Sequence, residues 1–122
     1  MPAIYIAGSR KFFDDIEKLA QVCAVHGVIV HTPKKGLGDS GFDGEKEALF
    51  RAFALIDECS VMYVFARRGY VGKTVAMEIA YAHARAKKII SSEEIEEFSA
   101  RALVSEVVPP EELVGYFKKT SP

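Results

Sequence analysis

The stretch from Ser60 to Ala82 contains the residue best placed for chemistry on a small molecule. The continuous apolar run at residues 61–65 predicts a buried strand, and the helical spacing after residue 73 predicts a helix that carries Glu78 in its early turns. In an open parallel sheet, ligands bind at the carboxyl ends of the strands, where such a strand-to-helix turn lies. Glu78 is therefore our candidate catalytic residue.

Helical spacing puts Glu78 at the border of an apolar stripe. The stripe would dock on the sheet and consists of Val75, Ile79, Ala82 and Ala86. Positions i+3 and i+4 hold Tyr81 and Ala82, so no Lys or Arg is placed there to form the usual surface ion pair with Glu78. A half-buried carboxylate without a cationic partner has a perturbed pKa, which is typical of a working group. A solvated surface glutamate is the alternative interpretation.

The turn at residues 69–74, Gly-Tyr-Val-Gly-Lys-Thr, is a candidate ligand contact. It is similar to a P-loop, but Arg67 occupies the position of that motif's first glycine, so we exclude ATP or GTP hydrolysis. Backbone N–H groups at the start of a helix still attract anions, which makes Gly69, Gly72 and Thr74 candidate substrate-binding residues. The alternative is a turn that only connects a strand to a helix.

A second small turn, Gly8-Ser9-Arg10, follows the first predicted strand. Glycine lets a ligand approach the backbone, and Ser9 or Arg10 could bind a hydroxyl or a phosphate, so all three are candidate substrate-binding residues. The full GxGxxG pattern is missing, which argues against a dinucleotide, and an ordinary turn with a solvated arginine is the alternative. The three histidines show no metal-ligand spacing, and we expect neither a metal nor a cofactor.

Strand and helix patterns alternate along the chain, and 122 residues suit a single domain, residues 1–122. Predicted strands cover residues 3–7, 28–31, 61–65 and 87–90 and part of 102–108. Predicted helices cover residues 13–26, 45–59 and 73–86, with two more opening at Ser92 and Pro109, and Thr32–Gly44 is predicted to be a long loop. This alternation implies right-handed βαβ crossovers, so we predict a flavodoxin-like or Rossmann-like three-layer α/β/α sandwich with a five-stranded parallel sheet.

Composition and charge narrow the class of partner. The formal net charge is -1 and the Lys and Arg residues are scattered, so we expect no binding to nucleic acid. No apolar run approaches the roughly 18 residues of a membrane span, and we expect neither a membrane segment nor a signal peptide. Cys23 and Cys59 form no CxxC, and we interpret them as buried free thiols of a protein in the reducing cytoplasm.

Over most of its length the chain resembles the nucleoside 2-deoxyribosyltransferase-like family. The resemblance is carried by residues 4–9, 54–59 and 61–65, and above all by Gly72 to Ala82, which includes Met-Glu-Ile-Ala-Tyr-Ala at 77–82. The family's pattern in that last segment is a glycine, a few residues, and then Glu-Ile/Leu-Gly-Tyr-Ala. The resemblance implies the same α/β fold and a small-molecule nucleoside or nucleotide as partner.

The resemblance also implies a mechanism. In this family the glutamate attacks the anomeric carbon of a nucleoside or nucleotide, the base leaves, and a second base or water takes the sugar from the glycosyl-enzyme ester. Two displacements by one carboxylate give retention at that carbon. The nucleophile here would be Glu78, Gly8 and Ser9 would line the sugar or base, and residues 69–74 would face the sugar or a 5′-phosphate. A homo-oligomer is implied as well, because members often complete the site from a neighbouring subunit.

The chain departs from the family's pattern at three positions. Where the family usually carries an aspartate in the helix before the third strand, this chain has Ala52, and where it carries one immediately before that strand, this chain has Ser60. The glycine after Glu-Ile is replaced by Ala80. We count Ser60 as a candidate substrate-binding residue because of its position. Losing acidic partners favours an alternative function, a non-catalytic nucleotide-binding module that kept the fold.

Overall fold

A computed structural model describes residues 3–33 and 41–120 of the chain. Its strands are β1 (Ala3–Ala7), β2 (Ile29–His31), β3 (Val61–Val64), β4 (Lys88–Ser91) and β5 (Glu106–Val107). They form one sheet in the order β2-β1-β3-β4-β5, and every neighbouring pair is parallel. This confirms the predicted five-stranded parallel sheet, with the strand order of a flavodoxin-like fold.

Helices cover both faces of the sheet. They are α1 (Phe13–Val25), α2 (Gly41–Asp57), α3 (Lys73–Ala84), α4 (Phe98–Ala102) and α5 (Leu113–Thr120), with short 3₁₀ turns at Arg10–Phe12 and Pro110–Glu112. One hydrophobic core joins α2, α3 and α4 to the sheet, and a second joins α1 and α5 to the opposite face. The two cores make the molecule the predicted three-layer sandwich.

The alternation of side chains along β1 decides which residues face α3. Successive side chains of a strand point to opposite faces of the sheet. Ile4 and Ile6 therefore lie in the α1/α5 core, whereas Tyr5 and Ala7 lie in the α2/α3 core. Because β1 pairs directly with β3, the Tyr5 side chain is directed towards α3, the helix that follows β3.

Helix α2 begins earlier than predicted. Residues 41–44 were expected to be the end of a long loop, but α2 starts at Gly41, and residues 34–40 of that predicted loop lie outside the described residues. The glycine content of the segment favoured a loop. An interior glycine such as Gly44 costs a helix only about 1 kcal/mol, which the packing of the later turns on the sheet offsets.

The predicted helix start at Ser92 is wrong. Helix α4 begins at Phe98, and the Glu97 carboxylate caps it by accepting hydrogen bonds from the backbone N–H groups of Ser99 and Ala100. The Ser92 hydroxyl is buried and is used differently. It accepts a hydrogen bond from the Ala66 backbone N–H at 2.8 Å and donates one to the Ala66 carbonyl at 3.0 Å. A serine that links the ends of β3 and β4 in this way cannot also cap a helix.

Other expectations can be compared with the described part of the chain. Cys23 and Cys59 are buried free thiols, as predicted, and burial raises the pKa of both. None of the described helices combines the length and apolar character needed to cross a membrane. Within residues 3–33 and 41–120, no group of three or more His, Cys, Asp or Glu side chains is arranged to hold a metal ion.

Candidate active site

A cavity of about 500 Å³ opens at the carboxyl ends of the strands. Its walls come from the turn after β1, the inner face of α2 and the first turns of α3. Six of the eight predicted site residues line it, namely Gly8, Ser9, Arg10, Gly72, Thr74 and Glu78. The volume is in the range of small-molecule sites, so the turn after β1 and the turn before α3 do meet in one place.

Glu78 is buried at the base of this cavity. Its side chain is 6% exposed, and the Tyr5 hydroxyl donates a hydrogen bond to Oε1 at 3.0 Å. Oε2 makes no hydrogen bond to the described residues. Every buried side-chain oxygen or nitrogen of those residues has a partner, so Oε2 itself cannot be fully buried. Oε2 therefore remains accessible from the cavity, so Tyr5 holds one carboxylate oxygen and the other has no partner among the described residues.

Burial also changes the acidity of Glu78. Removing the carboxylate from water raises its pKa from the ordinary 4.5 to about 7, and the hydrogen bond from Tyr5 opposes part of that rise. The raised pKa agrees with the expectation of a perturbed carboxylate. Its cause is that Glu78 is buried, whereas helical spacing alone predicted a half-buried side chain. At neutral pH the group is therefore divided between its ionised and neutral forms, and such a perturbed pKa is typical of functional sites.

Tyr5 and Tyr63 both lie within predicted strands, which favours core positions for both, and this pattern does not reveal the hydrogen bond of Tyr5 to Glu78. Tyr63 is a core residue, and its hydroxyl donates to the Val108 carbonyl at 2.7 Å. Tyr5 is equally buried, but its hydroxyl reaches the cavity and binds Glu78. A buried tyrosine hydroxyl needs a hydrogen-bond partner, and Tyr5 and Ala7 lie on the side of β1 that faces α3. The need for a partner on α3 was therefore the signal in the sequence that could have linked Tyr5 to Glu78.

Thr74, Glu78, Tyr81 and Arg85 follow one another at helical spacings of four, three and four, which predicts one shared face, and they divide into two pairs. Thr74 and Glu78 line the cavity. Tyr81 and Arg85 instead bind Asp57 at the end of α2, with Tyr81 Oη donating to Asp57 Oδ2 at 2.7 Å and Arg85 Nε donating to Oδ1 at 2.8 Å. These bonds hold the pKa of Asp57 below its usual range. Asp57 therefore fastens α3 to α2 and does not replace a cavity carboxylate.

The inner face of α2 forms an apolar wall with two charged residues. Ala48, Ala52 and Leu55 line the cavity, so the position where the resemblance implies an aspartate holds a methyl group directed at the site. Glu45 and Arg51 also line it. Among the described lining residues, Glu45 and Glu78 are the only carboxylates, and they lie on different walls.

Gly8 allows close packing beneath the cavity. A Cβ atom at this position would lie 2.8 Å from the Phe65 carbonyl oxygen and 2.8 Å from Ile16 Cδ1, so only glycine fits without a backbone shift. Ser9 then accepts a hydrogen bond from the Lys11 backbone N–H at 3.3 Å and starts the 3₁₀ turn. The predicted tripeptide is thus both a structural turn and a wall of the cavity.

Helix α3 begins at the cavity without a side-chain cap. Its N-cap residue is Gly72, which offers no side-chain acceptor, and Lys73, Thr74 and Val75 of the first turn also line the cavity. The first N–H groups of a helix lack intrahelical partners and attract negative charge. Gly72 and Thr74 therefore lie where the P-loop-like turn was expected to contact a ligand.

The structure does not bring Ser60 and Gly69 to the cavity. Ser60 precedes β3, and its backbone N–H donates to the Ala3 carbonyl at 3.0 Å, so it lies at the amino-terminal edge of the sheet, opposite the cavity. Gly69 has a φ of 73°, and its N–H donates to the Glu93 carboxylate at 2.6 Å. A Cβ there would lie 2.8 Å from the Glu94 carbonyl oxygen, which gives Gly69 a packing role.

Comparisons with known proteins gave different results for the sequence and for the fold. No protein-family model matches the sequence, and no curated protein is significantly similar to it. Several solved structures have the same fold over nearly the whole chain. A 2-deoxyribosyltransferase from Bacillus psychrosaccharolyticus is 14% identical with a TM-score of 0.75, and the match covers 98% of this chain and 96% of that one.

Two further structures extend the comparison. A 2-deoxyribosyltransferase from Leishmania mexicana is 15% identical over 100% of both chains, with a TM-score of 0.66. A CMP N-glycosidase from Clostridium botulinum is 21% identical over 96% of this chain and 98% of that one, with a TM-score of 0.64. Identities this low are evidence for the fold. The chain therefore has a nucleoside 2-deoxyribosyltransferase-like fold, as the sequence resemblance implied.

Proposed function

We propose that this protein is an enzyme that cleaves or exchanges the N-glycosidic bond of a nucleoside or nucleotide, with Glu78 as nucleophile. The observation that carries the proposal is the state of Glu78, a buried carboxylate with one oxygen held by Tyr5 and the other open to a ligand-sized cavity. A core glutamate with only a structural role would use both oxygens in hydrogen bonds. The shared fold with deoxyribosyltransferases and a CMP N-glycosidase supports the same reaction class.

The proposed reaction has two displacements. Glu78 Oε2 attacks C1′ of the sugar, the bond from C1′ to the base nitrogen breaks, and its electron pair leaves with the base, which then takes up a proton. A glycosyl ester of Glu78 remains. In the second step another base or a water molecule attacks C1′, loses its proton to solvent, and returns the bonding electron pair to the carboxylate. Two inversions give net retention at C1′.

Tyr5 positions the nucleophile in this scheme. Burial raises the pKa of its phenol, and the adjacent negative charge of Glu78 adds to the rise, so the hydroxyl stays protonated and remains a donor. Its hydrogen bond to Oε1 fixes the rotation of the carboxyl group and leaves Oε2 directed at the cavity. The same bond stabilises the ionised form, which is the form that attacks.

The remaining walls fit the parts of a nucleoside. The apolar residues of α2, Ala48, Ala52 and Leu55, together with Phe13, offer a surface for a flat base. Gly8 and Ser9, which the resemblance assigns to the sugar or base, line the same cavity. With Ala52 in place of a carboxylate, protonation of the leaving base falls to other groups, which favours bases that are good leaving groups.

Base release and ester trapping test the proposal. The purified protein would be incubated with a panel of ribo- and deoxyribonucleosides and their 5′-monophosphates, and free base would be measured by chromatography. Rapid quenching followed by mass spectrometry should find a peptide that contains Glu78 and is heavier by one sugar residue. Retention at C1′ should be visible by NMR when methanol replaces water as acceptor. Release of base with inversion at C1′ would contradict a glutamate nucleophile.

A non-catalytic nucleotide-binding module is the second candidate, and Ala52 is the observation that favours it. A methyl group at the cavity wall removes an acid that would orient or protonate substrate. Thermal stabilisation by a nucleotide without any base release would support this candidate. A cytoplasmic homo-oligomer is also part of our proposal, and light scattering after size-exclusion chromatography of the purified protein would measure the assembly.

A further inference from the structure

An ion pair spans the open side of the cavity. Arg10 Nη2 donates a hydrogen bond to Glu45 Oε1 at 2.8 Å, which joins the turn after β1 to α2. Both residues line the cavity, and their side chains are 59% and 46% exposed, whereas Glu78 is buried at the base. The pair therefore lies where a ligand held by Glu78 reaches towards solvent.

Most of the hydrogen-bonding capacity of this pair is unused. A guanidinium has five N–H donors and a carboxylate has two acceptor oxygens. Within residues 3–33 and 41–120, the bond from Nη2 to Oε1 is the only side-chain hydrogen bond of Arg10 and of Glu45. The pair therefore presents N–H donors of Arg10 beside the second oxygen of Glu45.

The spacing of α2 places this pair at the end of the apolar wall. Glu45 precedes Ala48 by three residues and Ala52 by seven, so the three side chains lie on one face of the helix. Three residues span about 4.5 Å along the helix axis. A flat base that lies on Ala48 and Ala52 therefore has one edge at the ion pair.

The proposed reaction needs a group that stabilises the leaving base. When the bond from C1′ to nitrogen breaks, the base keeps the electron pair, and a carbonyl conjugated with that nitrogen takes up much of the negative charge. Ala52 offers no proton at this wall. A guanidinium stays protonated and is no acid, but N–H donors held in place stabilise negative charge as it develops.

We propose that Arg10 and Glu45 bind the lactam edge of the base, a carbonyl oxygen next to a ring N–H, and that Arg10 stabilises the departing base. Arg10 donates to the carbonyl oxygen, and the second oxygen of Glu45 accepts from the ring N–H. Uracil, thymine, hypoxanthine and guanine present this edge, whereas adenine and cytosine have no carbonyl with an adjacent N–H. The role of Arg10 in base departure rests on the proposed function, because that function breaks the bond to the base.

Electrons and protons balance in this step. Glu78 Oε2 forms a bond to C1′, and the electron pair of the broken bond passes through the base to its carbonyl oxygen. The base leaves as an anion bound to Arg10 and takes a proton from water after its release. The proton that the acceptor loses in the second displacement neutralises the hydroxide formed.

Matched substrates test the edge. Base release would be measured from inosine and adenosine and from uridine and cytidine, in ribo and deoxyribo forms and as 5′-monophosphates. Arg10→Gln should lower kcat/KM for the inosine and uridine members by about 10- to 100-fold, the effect of a hydrogen bond to a charged group, and should change the others by less than about 3-fold. Glu45→Gln should act in the same direction, because it weakens the hold on Arg10.

A change of leaving group separates charge stabilisation from structural damage. The fluorine of 5-fluorouracil already stabilises negative charge on the base, so release of this base depends less on Arg10. Arg10→Gln should therefore slow the release of uracil about 3- to 10-fold more than the release of 5-fluorouracil. A merely structural role of Arg10 would lower both rates equally.

Arg67→Gln is the matched control. Arg67 pairs with Asp15 at 3.3 Å, its side chain is 52% exposed, and it does not line the cavity. The variant removes the same charge and breaks the same kind of ion pair, so it should leave base release unchanged. Circular dichroism should show that Arg10→Gln, Glu45→Gln and Arg67→Gln keep the fold, because all three side chains are exposed.

The outcomes separate the base edge from the proposed function. Equal losses for all substrates in Arg10→Gln, or losses matched by Arg67→Gln, would overturn the edge assignment and leave the proposed function standing. Calorimetry with free bases covers the opposite case. Tighter binding of hypoxanthine than of adenine, lost in Arg10→Gln, without base release from any substrate would overturn the proposed function and leave the edge recognition standing. If no base and no substrate binds, the edge recognition is overturned as well.

Discussion

The two halves of α3 have opposite characters. The first half, Lys73 to Glu78, faces the cavity, starts without a side-chain cap and carries a carboxylate with one free oxygen. The second half is fastened to α2, since Tyr81 and Arg85 both bind Asp57 and the Tyr81 ring stacks on Phe53 with centroids 4.1 Å apart. One helix thus combines a first half that carries the candidate nucleophile with a second half whose polar side chains are paired.

This division explains how a buried carboxylate can stay partly unsatisfied. Holding a carboxylate at 6% exposure costs desolvation free energy, and functional sites carry such costs when the surrounding structure is well determined. The clamp around Asp57 and the apolar contacts of Val75, Ile79 and Ala82 supply that support on the other faces of α3. The comparison predicts that changes in the first half alter chemistry and changes in the second half alter positioning.

The largest effect is expected from Glu78→Gln. The amide keeps the shape of the side chain but is a far poorer nucleophile, so turnover should fall by about 10³-fold or more while nucleotide affinity stays within a fewfold of wild type. Glu47→Gln, the same change on the outer face of α2, is the control and should leave turnover unchanged. Equal rates for Glu78→Gln and wild type would show that the cavity half of α3 does no chemistry.

The pH dependence of turnover should follow the ionisation of Glu78. Its pKa is raised to about 7, so the ionised, attacking form is lost as pH falls through 7. Between pH 7 and pH 5 kcat should decline about 50-fold in total, because the ionised fraction falls from about one half to about one hundredth. The measurement is kcat at saturating substrate in buffers of constant ionic strength, and a flat profile over that range would exclude Glu78 as the group that must be ionised.

Stability should respond to pH in the opposite direction. The pKa of Glu78 is about 7 in the folded protein and near 4.5 when unfolded, so between these values the folded state binds more protons. Raising the pH from 4.5 to above 7 should therefore cost the wild type about 3 kcal/mol of unfolding free energy from this group. Denaturant titrations of wild type and Glu78→Gln should show that the glutamine variant lacks this component.

Tyr5→Phe should have an intermediate effect. It removes the donor to Oε1 and leaves the ring packing intact, so kcat should fall by about 10-fold through loss of orientation. Because the lost hydrogen bond lowered the pKa of Glu78, the midpoint of the acid limb should move to higher pH. Tyr63→Phe is the matched control in the other core, and an identical pH profile for both variants would contradict a positioning role for Tyr5.

The smallest effect on turnover is expected from Asp57→Asn, which weakens the clamp without touching the cavity. Loosened packing of α3 on α2 should lower kcat by about 3- to 10-fold and should lower Tm, with no change in the midpoint of the pH profile. Asp43→Asn, at the other end of α2, is the control. A shifted pH midpoint in Asp57→Asn would mean that the two halves of α3 are not separable.

Periodicity and residue type predicted most of the fold. The alternation of apolar strands and amphipathic helices is local, so the parallel sheet, the three layers and the helix that carries Glu78 could be read from it. The start of α4 could not, because Ser92 is an equally good helix cap and strand linker until the position of Ala66 is known. The early start of α2 was hidden by glycines whose cost is offset by tertiary packing.

The predicted site residues that follow a strand line the cavity, except Gly69, and the one that precedes a strand does not. Gly8, Gly72 and Glu78 come after the carboxyl ends of β1 and β3 and line one cavity. Ser60 is adjacent to β3 in sequence, but it comes before the strand, and parallel strands place those residues at the opposite edge of the sheet. Position relative to a strand's direction is therefore more informative than distance along the chain.

The sequence by itself determined the order of elements, the fold class and the identity of the candidate nucleophile, because these depend on local patterns and on short motifs. Only the tertiary structure decided what surrounds that nucleophile. The partnership of Tyr5 with Glu78 joins residues 73 positions apart, and the bonds from Tyr81 and Arg85 to Asp57 join residues 24 and 28 positions apart. The burial of a side chain and its hydrogen-bond partners depend on residues that are distant in the sequence, so no local pattern in the chain can predict them.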